Sequence, residues 1–376
     1  MTAASLPSPT PSRLDAGRIT TMAFAVVALL VSGRMIVSSL PPSPYLPDFA
    51  VFWTAARLAL VDQALVYDVA AITQAQSWLV DPAVGPRPFA YPPSALLLFL
   101  PFAALPAVPA LLLWGAVSLG AFAAAGKQFV RGGTWTLALI SPAVAWCLLS
   151  GQTALLLGAA ILGGVATLSR RPIVAGILLG LVAAVKPQAL LLAPLALARA
   201  GEWRALAAAV AAGTATVLAS LALGPQLWID WLGSLGEFRA IVETGNLHPL
   251  GITPNSVAAE IGLAPPWRVA VQAGGIALGC ATVWWAFGSG DLRLRAAALI
   301  GGSLLCSPYA MPYELAMLAP VAAATLVAGR RWSPLAGFTL IGLTGVVPVL
   351  ALLAALFLEQ REAAGKIMVN RPFSAG

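Results

Sequence analysis

Charged and polar side chains are scarce in this chain, and those embedded in apolar text are where chemistry is to be sought. Asp48 stands in PYLPDFAVFW, directly after a long apolar run. Ionising a carboxylate in such surroundings is costly unless something uses it. Lys186 sits in VKPQ, Gln152 in SGQT, and Tyr313 and Glu314 in SPYAMPYE, each between apolar stretches. His248, the single histidine, shares NLHPLGITPNS with Asn255, and Tyr91 falls in PFAYPPSALLLFLP. These types make a coherent set. An acid can take a proton from a hydroxyl, and a cation can stabilise negative charge growing on a leaving group. Amides, phenols and an imidazole can orient a substrate. Acid–base work on an activated lipid whose leaving group is a phosphate needs no more than this.

Each residue also has a structural reading. Asp48 precedes an apolar periodic run and reads equally as a helix N-cap, and the two roles can coexist. Lys186 and Arg34, the latter inside the first span, can snorkel to headgroups, and Arg34 can instead pair or hold a lipid phosphate. Gln152 can cap a turn, and His248 can be a plain loop residue. The segment 88–101 can be no more than a proline-stiffened helix start. Convergence favours function: an acid, a cation and amides recur at one level of a chain that is otherwise apolar.

The elements that position them follow from composition and charge. The 376 residues are 60% hydrophobic and 9% charged, with mean hydropathy +0.89. Soluble domains carry about 25% charge. Stretches such as 19–40, 134–149, 204–223 and 267–287 are long enough, or nearly so, to cross a bilayer core of about 30 Å. The sequence therefore describes an all-α, polytopic integral membrane bundle. The net charge of +7 is not a nucleic-acid footprint, because the basic residues sit in short clusters between spans. They gather in the N-tail, 127–133, 169–172, 199–204, 290–295 and 329–332, which places the N-terminus in the cytoplasm. The segments 41–92 and 224–266 then face outward and carry amphipathic helices over 49–60 and 229–242. Alternation predicts a span over 93–126 broken at LPAVP, and hairpins turning at SGQT, VKPQ and SPYAMPYE. It also predicts a last span, or a broken pair, over 334–358. The total is about eleven spans. Domain organisation is read as a disordered tail (1–18), one transmembrane domain (19–358) and a C-terminal tail (359–376). The first span is too long for a removed signal peptide. Cys147, Cys280 and Cys306 read as small buried hydrophobes.

Absent motifs narrow the chemistry. There is no Walker A sequence, no His/Cys metal cluster, no nucleophile elbow and no dinucleotide fingerprint. No metal and no cofactor is expected.

Five stretches occur in order: DFAVFWTAARLALVDQALVYD (48–68), FAYPPSALLLFLPFAALP (89–106), LSGQTALLLGAAIL (149–162), AGILLGLVAAVKPQALLLAPLAL (175–197) and SPYAMPYELAMLA (307–319). Together they resemble glycosyltransferase family 87, of the GT-C superfamily. The resemblance implies a GT-C-like fold and transfer of a sugar, mannose-like or a pentose, from a polyprenyl-phosphate donor. The acceptor would be a hydroxyl of a glycolipid or glycan at the outer membrane face. Its catalytic base matches Asp48, and its lysine before proline matches Lys186. Arg34 and Arg57 are then further candidates for the donor phosphate, and Tyr91, Gln152, His248, Asn255, Tyr313 and Glu314 for substrate contact. One base in a single displacement implies inversion at the sugar. Some family members carry histidines after the SP of the last motif. Here Tyr313 and Glu314 take that place, so no histidine role passes to His248. Two other classes compete: a transporter or flippase of lipid-linked sugars, and a non-catalytic subunit of a membrane assembly. Transporters usually show internal repeats and midplane sites, and neither is visible here.

Overall fold

The computed structural model describes residues 13–38, 47–80, 85–245, 247–342 and 345–369. The tail 1–12 and Asp81 fall outside them. Among the described residues every regular element is helical. The first span forms α1 (Arg13–Ser38), which starts ahead of the expected 19. Next come α2 (Pro47–Val61) and the short α3 (Val69–Ala75). Asp48 lies in the first turn of α2 rather than at the cap position, where its charge meets the positive end of the helix dipole.

Prolines cut the next segment as LPAVP predicts, into α4 (Leu96–Ala103) and α5 (Ala107–Gly126). The first hairpin forms from α6 (Thr134–Leu139), α7 (Pro142–Ser150) and α8 (Ala154–Thr167), and the break between α7 and α8 falls at SGQT. The second comprises α9 (Pro172–Val185), a 3-10 turn at Pro187–Leu190 and α10 (Ala193–Arg199). Next are the long α11 (Trp203–Ser220), the loop helices α12 (Gln226–Thr244) and α13 (Pro254–Glu260), and α14 (Pro265–Phe287). The last hairpin joins α15 (Leu292–Cys306) to α16 (Ala319–Val327) through a 3-10 turn at Pro312–Leu318. The chain closes with the broken pair α17 (Pro334–Ile341) and α18 (Val347–Val369). Helix α18 runs well past 358, because Glu359 is buried against the preceding turn. There it accepts hydrogen bonds from Ser333 Oγ (3.0 Å) and Arg330 Nη1 (3.4 Å).

Among the described residues, four helices are long and apolar enough to cross a membrane: Ala16–Ser38 within α1, α5, Trp203–Leu223 (α11 with the turn after it) and α14. They are peripheral, and their large apolar side chains point outward, as with Leu112 at 68% exposure and Val269 at 70%. The short helices occupy the interior. All of Ala296–Cys306 in α15 and the whole turn Pro312–Leu318 are buried. This is an inside-out arrangement for water but a natural one for lipid. Breaks in the helical ladder are tolerated at membrane depth only where protein surrounds them. The tightest seam joins α9 to α11, where a Cβ at Gly176 or Gly180 would collide with the carbonyls of Ala205 and Ala209. Small residues four apart let the two backbones touch.

Candidate functional site

Three helix breaks converge with the start of α2, each for a local reason. Helix α7 ends in a Schellman turn: Gln152 N–H bonds Cys147 O (2.9 Å) and Gly151 N–H bonds Leu148 O (3.3 Å). Gly151 takes φ +68°, and a Cβ there would stand 2.6 Å from Phe49 Cβ, so only glycine lets α2 approach this turn. Trp114 Nε1 donates to Gly151 O (2.9 Å) and pins it from α5. Helix α9 ends at Val185 because Pro187 forces Lys186 out of helical geometry, to φ −146° and ψ 80°. Helix α15 ends before Pro308, and the chain re-enters a helix at Pro312. Ser307 Oγ donates to Tyr309 O across the gap (2.6 Å).

The side chains thrown inward meet in one polar cluster. Lys186 and Glu314 form a buried ion pair. Lys186 Nζ also lies 5.4 Å from the Tyr91 ring centre and 5.7 Å from that of Tyr313. Tyr91 shares a hydrogen bond with Thr153 Oγ1 (3.0 Å) and lies 3.5 Å from Gln152 Oε1. Gln152 Oε1 also accepts from Thr153 N–H (3.2 Å). The Gln152 side chain also acts on the Asp48 carboxyl as a hydrogen-bonding neighbour. The charges of Lys186 and Arg87 act on Asp48 as well. Burial pushes the Asp48 carboxyl above the usual carboxylate range, while the Gln152 bond and the two cations work in the opposite direction. A half-buried carboxyl raised in this way is a better proton acceptor than an exposed one. Phe52, one turn after Asp48, stacks on Phe99 (4.6 Å) and meets Tyr91 edge-on (5.2 Å), so the wall behind the cluster is aromatic.

Asp48, Tyr91, Gln152, Lys186, Tyr313 and Glu314 are thus neighbours. The other sequence candidates stand elsewhere. Arg34 is exposed on α1. Arg57 follows Asp48 by nine residues, two and a half turns, and so lies on the opposite face of α2, where its guanidinium covers Trp53 at 4.7 Å. His248 and Asn255 belong to a separate clasp. Arg268 grips Glu243 through both guanidinium ends (2.9 and 3.2 Å), His248 Nε2 lies 3.1 Å from the same carboxylate, and Arg268 Nε donates to Asn255 Oδ1 (3.4 Å). Asn255 Nδ2 donates to Pro308 O (3.3 Å), which ties this clasp to the turn that bears Tyr309 and Glu314.

Three cluster members escaped the sequence reading. Arg87 is buried, its backbone N–H bonded to Thr73 Oγ1 (3.0 Å) and its carbonyl to Gln76 Nε2 (3.2 Å), both from the region of α3. Thr153 adjoins Gln152. Tyr309 feels the charges of Asp48, Lys186 and Glu314 and meets Phe238 of α12 edge-on (5.8 Å). Arg87 carried a faint signal, a cation between prolines just ahead of the aromatic run FAY.

The arrangement brings one lightly hydrogen-bonded carboxylate, one paired lysine and several phenols together at broken helix ends of an apolar bundle. The sequence model of glycosyltransferase family 87 matches residues 89–308, more than half of the chain. The chain belongs to glycosyltransferase family 87. It is therefore a membrane-embedded glycosyltransferase. No curated protein and no solved structure matches it. The matched stretch contains Tyr91, Gln152, Lys186, His248 and Asn255. Asp48, Tyr313 and Glu314 lie outside it, so their place in the site rests on geometry and on the motifs above.

Proposed function

We propose that this glycosyltransferase moves a sugar, a mannose-like hexose or a pentose, from a polyprenyl-phosphate donor to a hydroxyl of a glycolipid or glycan. The reaction runs at the outer face of the cytoplasmic membrane, the side assigned to the cluster by the charge asymmetry of the loops. Asp48 removes the proton from the acceptor hydroxyl. The freed oxygen attacks the anomeric carbon as the bond from that carbon to the phosphate oxygen breaks. Polyprenyl phosphate leaves with the bonding pair, and the configuration inverts.

A single observation carries this reading: of the two carboxylates in the cluster, Glu314 is tied to Lys186, while Asp48 rests on the neutral amide of Gln152. The Glu314 carboxylate is already engaged by Lys186. Asp48 is the group left to take a proton. Lys186 has three N–H donors, and the pair with Glu314 engages one side of the ammonium. The remaining donors suit the phosphate oxygen on which charge grows, with the Arg87 guanidinium as second cation. Tyr91 and Tyr313 give an aromatic floor for the sugar.

Purified protein offered a panel of polyprenyl-phosphate sugars with a glycolipid acceptor should release polyprenyl phosphate from one of them. Turnover with nucleotide sugars alone would overturn the assignment of the donor.

A further inference from the structure

The face of α2 turned away from Asp48 borders a second feature, independent of the transfer reaction. A crevice of about 720 Å3 opens between α2, the end of α3 and the turn joining α4 to α5. Its walls are apolar. Trp53 and Trp78 meet edge-on (5.6 Å), with Leu79 and Val108 beside them. Trp53 is rigidly placed, since its Nε1 donates to Leu105 O (3.0 Å). One cation stands at the crevice among the described residues: Arg57, exposed, stacked on Trp53 and donating through Nη1 to Ala103 O (3.3 Å). The described lining holds no acid. Thr54 lines the same crevice, is 4% exposed, and its Oγ1 has no hydrogen-bond partner. Buried hydroxyls are rarely left unpaired, and each one calls for an explanation. The surroundings are what lipid covers: Val61 is 85% exposed, Trp78 67% and Leu112 68%. Tryptophans of this kind favour the level where headgroups meet acyl chains.

We propose that this crevice binds one anionic glycerophospholipid. Its phosphate pairs with Arg57, whose fork suits phosphate oxygens. An ester or phosphate oxygen takes the Thr54 hydroxyl, and one acyl chain lies along Trp53, Trp78 and Val108. The cation, the lack of acid among the described lining residues, and the apolar walls select a negatively charged amphiphile over a zwitterionic one.

Native mass spectrometry of the delipidated protein tests this with phosphatidylglycerol and phosphatidylcholine of identical chains. Wild type should retain one phosphatidylglycerol in preference to phosphatidylcholine. Arg57→Gln should lower that retention about tenfold, the scale of one lost charge-assisted contact. Arg57→Lys should restore part of it, and Trp78→Ala should weaken retention of both lipids. If Arg57→Gln is not monodisperse, Thr54→Val serves as the second probe and should cut retention of both lipids, since both carry the ester and phosphate oxygens. Equal retention of the two lipids by wild type would overturn the proposal. So would retention that none of these changes moves, or displacement of the bound lipid by undecaprenyl phosphate at equal stoichiometry, which would make the crevice a carrier site.

Discussion

Two ionic clusters flank the turn at 307–314, and they are built from nearly the same chemistry. One joins Asp48, Lys186, Arg87 and Glu314 in an aromatic interior. The other joins Glu243, Arg268 and His248 near the end of α12. The second has ideal two-pronged geometry, yet Glu243 keeps 37% of its side chain exposed and its partners lie within 25 residues. The first is assembled from four separate stretches of chain, and its central pair spans 128 residues. Water screens the second cluster and leaves it worth little. The Lys186–Glu314 pair of the first is buried, so its charges depend on one another and on whatever substrate enters. The comparison separates a clasp, which fastens a loop, from a site, in which charge is kept at a cost in stability.

The largest expected effect tests the site directly. Asp48→Asn should lower sugar transfer by about 10²–10⁴-fold, the usual share of a general base. Its melting temperature should stay near that of wild type, because the amide keeps a partner in Gln152. Transfer within a few fold of wild type would move the base elsewhere, with Glu314 next in line.

The second effect sets the two clusters apart by stability. Lys186→Ala strands the Glu314 carboxylate and should cost about 3–5 kcal/mol. Adding Glu314→Gln should recover most of that in thermal unfolding while transfer stays low. Recovery of transfer in the double variant would reduce Lys186 to a structural partner.

Next in size is Gly151→Ala, which forces an L-residue into left-handed backbone at a cost of about 1–2 kcal/mol. The added methyl also presses on Phe49. Melting temperature and transfer should fall together, since Gln152 moves with the turn. A normal melting temperature would show that the turn can shift without harm.

The smallest effect belongs to the clasp. Hydrogen bonds from Arg268, then from His248, hold the Glu243 carboxyl at about 2, below its ordinary 4.5. A carboxyl lowered on folding stabilises the fold above pH 4.5, and that share is lost as pH falls toward 2. Glu243→Gln should remove it, so the stability gap between wild type and variant should close over this window. At neutral pH the gap should be about 1 kcal/mol or less, as for exposed pairs. A gap as large as that of Lys186→Ala would erase the distinction between the clusters.

Much of this was legible before any coordinates. Gly151, Pro187, Pro308 and Pro312 announce the breaks at SGQT, VKPQ and SPYAMPYE, because glycine and proline act through their own backbone. Arg57 reads as a candidate for the donor phosphate beside Asp48, although nine residues on a helix amount to half a turn beyond two and set it on the opposite face. The partners were not legible. Nothing local to Lys186 names Glu314, and nothing local to Arg87 says that Thr73 and Gln76 will draw its backbone inward. His248 looked like a site residue because it is the single imidazole in the chain, and the structure gives it to the clasp.

By itself, then, the sequence determined the solvent, the helices and the places where they stop. Hydropathy, charge clusters and helix breakers are summed along the chain and need no partner. The tertiary structure alone decided which carboxylate is paired with Lys186 and which lies beside the Gln152 amide. That choice depends on distances of a few ångströms between segments more than a hundred residues apart, where Coulomb energy in a dry interior is strongest.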